Sequence, residues 1–303
     1  MKLKPSNKRG CGYWLRLLSM GLVSGILLYA IGYEVLYIKE MVSPARHTPC
    51  CITPAELGLV YEPVVLTSWD GVKLSGWYIP SRNRAAVILL HGYGNDRAMM
   101  LHQAEIMARH GYGVLLYDLR AHGESEGDQR TFGWQDVDDV PAAVAFLQNR
   151  SEVDSKRIGI HGFSIGATIA IQAAARSKAI RAVLAEEPGP VTLKDAPPPT
   201  SMADAIIYAV YFVDYKGVEL FTGIPAPSSI VDVIGTISPR ALFLISTGQE
   251  QGSRGTRFYY ERAQEPKRLW EVPETEHGGS LRARPAEYEQ NIMGFFDEAL
   301  LND

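Results

Sequence analysis

Cysteine is scarce in this chain: its 303 residues hold three, Cys11, Cys50 and Cys51, all ahead of residue 61. A domain starting there carries none and needs no disulfide in any compartment. Cys50 and Cys51 are adjacent and poorly placed to bridge each other, and neither sits in a lipidation sequence. Excess charge of either sign is also missing, with 30 Lys and Arg against 34 Asp and Glu. No basic stripe runs through the region beyond residue 60, which argues against a nucleic-acid partner. There is no internal repeat, no Gly-rich phosphate loop and no Cys or His cluster with metal-ligand spacing, so neither cofactor nor metal is expected. What remains is a chain that is 46% hydrophobic and 21% charged, long enough to bury a full core.

One long apolar run stands out. Leu17 to Ile38 carries a single charge, Glu34, and follows Lys2, Lys4, Lys8, Arg9 and Arg16. The run is long enough to cross a bilayer, with Tyr13, Trp14, Tyr33 and Tyr37 near its ends and the basic side expected to stay cytoplasmic. A cleaved signal peptide has a shorter apolar core and a small-x-small site. Leu28-Tyr29-Ala30 lacks the first small residue, and Ser43-Pro44-Ala45 is a poor candidate. The expected organisation is a cytoplasmic segment 1–16, an uncleaved single-pass anchor 17–38, a linker 39–60 and a domain 61–303 facing outside the cytoplasm.

Within that domain, Ile158-Gly159-Ile160-His161-Gly162-Phe163-Ser164-Ile165-Gly166 places a serine inside Gly-x-Ser-x-Gly directly after an apolar run. This is the sequence form of a nucleophile elbow, a strand-to-helix turn so sharp that only hydrogens fit at Gly162 and Gly166. The following Ala167, Ala170, Ala173, Ala174 and Ala175 suit a helix lying close on a sheet, its positive N-terminal end toward an oxyanion. About seventy residues upstream, Ala85 to Leu90 runs into His91-Gly92-Tyr93-Gly94. Acyl transfer passes through a tetrahedral oxyanion best held by two fixed backbone N–H groups; Tyr93 and Ile165 are the candidates.

A serine nucleophile needs a base, and the chain offers His47, His91, His102, His110, His122, His161 and His277. His47 precedes the domain, His102 and His110 fall in a helical stretch, and His161 ends the strand feeding the elbow. His122 lies in Asp118 to Ser125, whose charged groups are expected to brace one another beneath the site. His277 follows the last apolar run and precedes the final helix, where a base reaching back to Ser164 belongs. The orienting carboxylate is expected after Ala241 to Ile245, where the usual Ile-x-Gly-x-x-Asp reads Ile245-Ser246-Thr247-Gly248-Gln249-Glu250. Glu250 is the first candidate. Glu186 and Glu187, which close the strand Ile180 to Ala185, are alternatives, and Glu276 is beside the base.

Together these stretches resemble the α/β-hydrolase superfamily over roughly residues 61 to 303, in particular bacterial membrane-anchored or secreted serine esterases and lipases. Asp70 to Tyr78 and Ile237-Ser238-Pro239-Arg240 add to the likeness, whereas Glu in place of Asp and Thr247 in place of Gly depart from it. The resemblance implies carboxylic ester hydrolysis through an acyl-enzyme, with Ser164, His277 and Glu250 as the triad and a small-molecule ester as partner. A peptidase, an acyltransferase or thioesterase, and an inactive binding module are the competing readings; a peptidase would need a terminus clamp and usually an extra domain. Oligomeric state is unknown.

Periodicity supports the same fold class, α/β with a mostly parallel eight-stranded sheet flanked by helices. Val64 to Ser68 and Lys73 to Ile79 flank Asp70-Gly71, a hairpin signal. Six further short runs, at Ala86 to Leu90, Val114 to Asp118, Arg157 to His161, Ile180 to Ala185, Ala241 to Ile245 and Lys267 to Val272, suit buried parallel strands. Helices are expected at Met99 to His110, Asp136 to Asn149, Ile165 to Ser177 and Pro285 to Leu301. The interval 188–238 breaks the alternation with five prolines before a helix near Met202 to Tyr215, and is expected to form a small lid.

Overall fold

Strands occupy the short apolar runs nearly residue for residue. The computed structural model describes residues 11–43, 45–46, 52–248 and 250–302. Its strands are β1 (Glu62–Thr67), β2 (Lys73–Ile79), β3 (Ala86–Leu90), β4 (Gly113–Tyr117), β5 (Ile158–Phe163), β6 (Ile180–Glu186), β7 (Ala241–Thr247) and β8 (Lys267–Val272). They form one eight-stranded sheet in the order β1-β2-β4-β3-β5-β6-β7-β8. The β1–β2 hairpin and the β2–β4 pair are antiparallel, and every other pair is parallel. β3 and β5 are buried at every position, as strands covered on both faces must be, which is why β3 reads as a continuous apolar run and β5 is interrupted only by glycines and His161.

The helices are α1 (Cys11–Val42), α2 (Leu101–Arg109), α3 (Val140–Gln148), α4 (Ile165–Arg176), α5 (Met202–Thr222), the single turn α6 (Ile230–Val233), α7 (Glu250–Arg262), the single turn α8 (Ser280–Ala283) and α9 (Pro285–Leu300). One core joins a face of the sheet to α3, α4 and α7, including Val140, Ala170 and Tyr259. The other joins the opposite face to α2 and α9, including Leu101, Tyr288 and Phe296. Alternating strand side chains feed the two cores in turn. Because β3, β5 and β6 run parallel, the loops after them leave one end of the sheet, beside the reversal of strand order at β3, where α/β sheets hold their ligands.

Helix α1 is longer than the expected 17–38, at 32 residues, or about 48 Å at 1.5 Å per residue. It is long and apolar enough to cross a membrane. Leu17, Leu22, Ile26, Ile31 and Tyr33 are exposed, whereas Ile38 and Val42 are buried. Those two lie four residues apart on one helical face, and this face docks on the domain. Ile38 packs where a side chain at Gly217 of α5 would stand. The Tyr93 hydroxyl donates to the Met41 carbonyl, and the Arg130 N–H donates to the Val42 carbonyl at 2.8 Å. Just beyond the helix, Arg46 donates to the carbonyls of Ser125 and Gly127. The region expected as a linker is thus fastened to the domain at its start. Cys50, Cys51 and the basic residues Lys2 to Arg9 lie outside the described residues.

Candidate active site

The elbow is set by backbone geometry. Ser164 follows the last residue of β5 with φ 54° and ψ −116°, a strained conformation for a non-glycine residue and one that persists where the surroundings enforce it. Its N–H donates to the Glu186 carbonyl at 2.8 Å, which ties the turn to the neighbouring strand. A Cβ at Gly162 would collide with the Gly166 carbonyl, and one at Gly166 would lie 2.7 Å from the His91 oxygen. The two glycines therefore let the elbow close on itself and on the end of β3. Ile165 opens α4, so its N–H has no acceptor within the helix. Tyr93 lies in the loop after β3, its ring beside Arg130, His122 and Phe132.

His277 lies after β8 with its ring 4.9 Å, centroid to centroid, from that of Phe163, the residue before Ser164. Its Nδ1 is 2.9 Å from Glu187 Oε2. A proton on Nδ1 held by that carboxylate leaves Nε2 free to accept one, the tautomer a general base requires. Glu187 immediately follows β6, in the left-handed region at φ 55°, and its side chain is 3% exposed. Every oxygen of the carboxylate is engaged. Oε1 accepts from the Thr247 N–H at 3.1 Å and from the Thr247 hydroxyl, and Oε2 accepts from the Gly278 N–H at 2.6 Å as well as facing His277. Burial would raise the Glu187 pKa, but the hydrogen bonds from His277 and Thr247 hold it below the usual value.

Among the described side chains, the carboxylate that His277 meets is thus Glu187, one of the alternatives. Glu250 opens α7, and its side chain lies outside the described residues. Thr247, which departs from the usual glycine, donates twice to Glu187 from the end of β7. Glu186 points to the opposite face of the sheet. It accepts from the hydroxyls of Ser280 and Tyr288 and lies 3.5 Å from His161 Nε2, a structural cluster on the α9 side.

The remaining described histidines sit elsewhere. His91 is fully buried, accepts the Leu119 N–H on Nε2 and is pushed down to about 4 by burial. His122 is pushed down to about 3, by burial first and then by His91 and Arg130. His102 and His110 face Glu105 and Glu289 at the surface. In the Asp118 to Ser125 run, Asp118 accepts from the Arg97 and Glu124 N–H groups and from the Arg97 guanidinium, and the Ser125 hydroxyl donates to the Asp118 carbonyl. The run is braced internally beneath the loop that carries Tyr93.

Ser164, Glu187 and His277 line one cavity of about 260 Å³. The interval 188–238 supplies much of its wall through Pro188 to Pro190, Ala196 and Pro197, and Ile207, Tyr208 and Tyr211 of α5. Arg254 of α7 also lines it and pairs with Asp204 at the start of α5 at 3.0 Å. The wall joins apolar and aromatic side chains to a smaller number of polar groups, Ser164, Glu187 and His277 with Asp195, Asp204 and Arg254, the composition of a small-molecule site.

The hydrogen bond to Glu187 raises the His277 pKa above 6.5 against the lowering effect of burial. Because only neutral imidazole can act as base, kcat/KM is expected to climb with pH along a limb displaced above 6.5, read from a pH–rate profile on a small ester. A limb at or below 6.5 would mean that the two side chains are uncoupled in solution. The linkage to stability runs the other way. A raised folded-state pKa gives His277 a stabilising contribution that is complete below its unfolded value and lost as pH rises through the folded one.

Residues 70–196 match the family model for X-Pro dipeptidyl-peptidase (S15 family). The uncharacterized protein YfhR of Escherichia coli K12 is 27% identical over 79% of this chain and 81% of its own length. The thiohydrolase aneE of Aspergillus aculeatus is 33% identical over 41% of this chain and 40% of its own. Among solved structures, the Pyrococcus furiosus esterase Pf2001 superposes with a TM-score of 0.70 at 29% identity, covering 86% of this chain and 98% of that one. With its eight-stranded sheet, its strained serine between two obligatory glycines and these relatives, the chain belongs to the α/β-hydrolase superfamily.

Proposed function

We propose that the protein is a membrane-anchored serine hydrolase of carboxylic esters, with Ser164 as nucleophile, His277 as base and Glu187 as orienting acid. The observation that carries this reading is the 2.9 Å contact of His277 Nδ1 with the fully engaged Glu187 carboxylate, in a cavity that also contains Ser164. His277 Nε2 takes the Ser164 proton as Oγ bonds to the acyl carbon. The N–H groups of Tyr93 and Ile165 hold the resulting oxyanion. The ester C–O bond then breaks, the leaving alcohol receives the proton from His277, and water releases the acyl group by the same steps in reverse roles.

A small, mostly apolar cavity favours short to medium acyl groups. The superposition on an esterase supports this choice over peptide substrates, while the S15 match makes an Xaa-Pro peptidase the specific rival. No second domain is present in the described residues to clamp a peptide terminus. p-Nitrophenyl butyrate is expected to be hydrolysed and Xaa-Pro p-nitroanilides left intact by the full chain in detergent; the opposite preference would replace the esterase reading with a peptidase. Helix α1 is read as the anchor, with the domain outside the cytoplasm because basic residues precede the helix.

A further inference from the structure

Helix α5 has three unlike sides. Its inner side carries Tyr215 and Val218 into the core and Ile207, Tyr208 and Tyr211 to the cavity wall. A second side meets α1: Ile38 packs at Gly217, and Asp214 faces Glu34, the one charge in the apolar run. Burial and that neighbour push the Asp214 carboxyl up to about 7. The third side is apolar and exposed among the described residues. Met202, Ile206, Val213 and Leu220 recur at spacings of four and seven, and are 79%, 60%, 44% and 82% exposed. The charged residues of α5 avoid this stripe. Asp204 is held by Arg254, Asp214 by α1, and Lys216 pairs with Glu219 on a flank at 2.7 Å.

A soluble surface gains nothing from such a stripe, and uncovered apolar area of this kind marks an interaction face. The occupant follows from continuity. α1 leaves the domain beside α5, and from Tyr33 back toward its start its exposed apolar side chains are those that would meet lipid. Where α1 enters a bilayer, the outer side of α5 is brought to the same surface. An amphipathic helix with its apolar side turned to that surface lies in the headgroup and acyl boundary.

We infer that the outer face of α5 beds into the membrane leaflet alongside α1, so that the catalytic cavity is walled from lipid by one helix and receives ester substrates from the bilayer. This rests on the anchor and esterase readings, and it narrows the substrate class to membrane-resident amphiphilic esters. The geometry gives α5 two jobs at once: its inner residues shape the cavity while its outer residues hold the cavity mouth at the lipid surface.

The test uses the full chain in phosphatidylcholine vesicles, with Cys11, Cys50 and Cys51 replaced by serine and an environment-sensitive fluorophore attached through Ile206→Cys. The reference is the same label at Val60→Cys, an 81% exposed position at the opposite end of the sheet from the cavity. Nitroxide-labelled lipid is expected to quench the probe at 206 about twofold or more and leave the one at 60 unchanged, as for a side chain a few ångströms below the headgroups. Equal exposure to water at both positions would overturn the docking whether or not the protein is an esterase. The second readout is Ile206→Ser, Val213→Ser and Leu220→Ser combined. Removing three apolar contacts with lipid is expected to lower hydrolysis of vesicle-borne dioctanoylglycerol about tenfold and leave soluble p-nitrophenyl butyrate turnover within about twofold. An equal fall on both substrates would show that the stripe supports the fold and not the lipid contact. Quenching at 206 with neither ester hydrolysed would keep the docking and discard the esterase reading.

Discussion

Ser164→Ala should reduce p-nitrophenyl butyrate hydrolysis by a factor of about 10^4 to 10^6, the range set by removing the nucleophile from a Ser-His-acid machine. The loss should fall on kcat with KM little changed, because the cavity wall is supplied by α5, α7 and the segment after β6. Stability should hardly move. The φ 54° strain at position 164 is borne by the backbone, and alanine keeps the Cβ while losing only the hydroxyl. His277→Ala should cost nearly as much, and the double variant no more than either alone, since the two side chains act as a unit. Stopped assays on purified full chain in detergent would decide it: equal turnover in the wild type and Ser164→Ala would remove the serine mechanism altogether.

Most of the framework behind that result is legible in the sequence because each part has a local physical cause. The β3 run is apolar at every position and β5 is interrupted only by His161 and its glycines, as both strands are buried on both faces, and the elbow glycines are required by backbone collisions that no side chain could avoid. The end of α5 was less legible. The expected helix near Met202 to Tyr215 runs on to Thr222, past Lys216, Gly217 and Glu219, which interrupt its apolar pattern. Gly217 is a poor helix former on its own, yet it is the position that admits Ile38 from α1. Nothing local to α5 announces that requirement. In the same way the apolar residues of α1 suit lipid or protein alike, and only tertiary structure divides them, with Ile38 and Val42 against the domain and the earlier turns exposed.

For the acid, a pattern counted from the end of β7 leads to Glu250, whose side chain lies outside the described residues, whereas the described carboxylate that His277 meets is Glu187, just after β6. Two signals for this were present. Consecutive glutamates closing a mostly apolar strand are rarely buried without partners, and these two reach opposite faces of the sheet, Glu186 to Tyr288 and Ser280, Glu187 to His277. The other signal is Thr247, where glycine is usual: a hydroxyl and an N–H at the end of β7 provide two donors to a carboxylate arriving from β6.

Glu187→Gln should therefore lower kcat by about 10^2- to 10^4-fold, by analogy with replacing the acid of a triad by its amide, while Glu250→Gln stays within about twofold. The carboxylate receives donors on both oxygens, from Thr247 on one side and from Gly278 and His277 on the other. An amide has one acceptor oxygen, so whichever way it is turned its NH2 faces a backbone N–H. The charge that stabilises the imidazolium formed during acyl transfer is lost as well. The pH–rate limb should move down toward the ordinary histidine value, since the raised His277 pKa comes first from this hydrogen bond. Stability should fall mainly above pH 4.5, for a carboxylate whose folded pKa is lowered contributes there and loses the contribution as pH drops through the folded value. If Glu250→Gln instead gave the large loss with the limb displaced, and Glu187→Gln kept full turnover, the acid would belong to α7 and the contact at 2.9 Å would be a brace for the His277 loop.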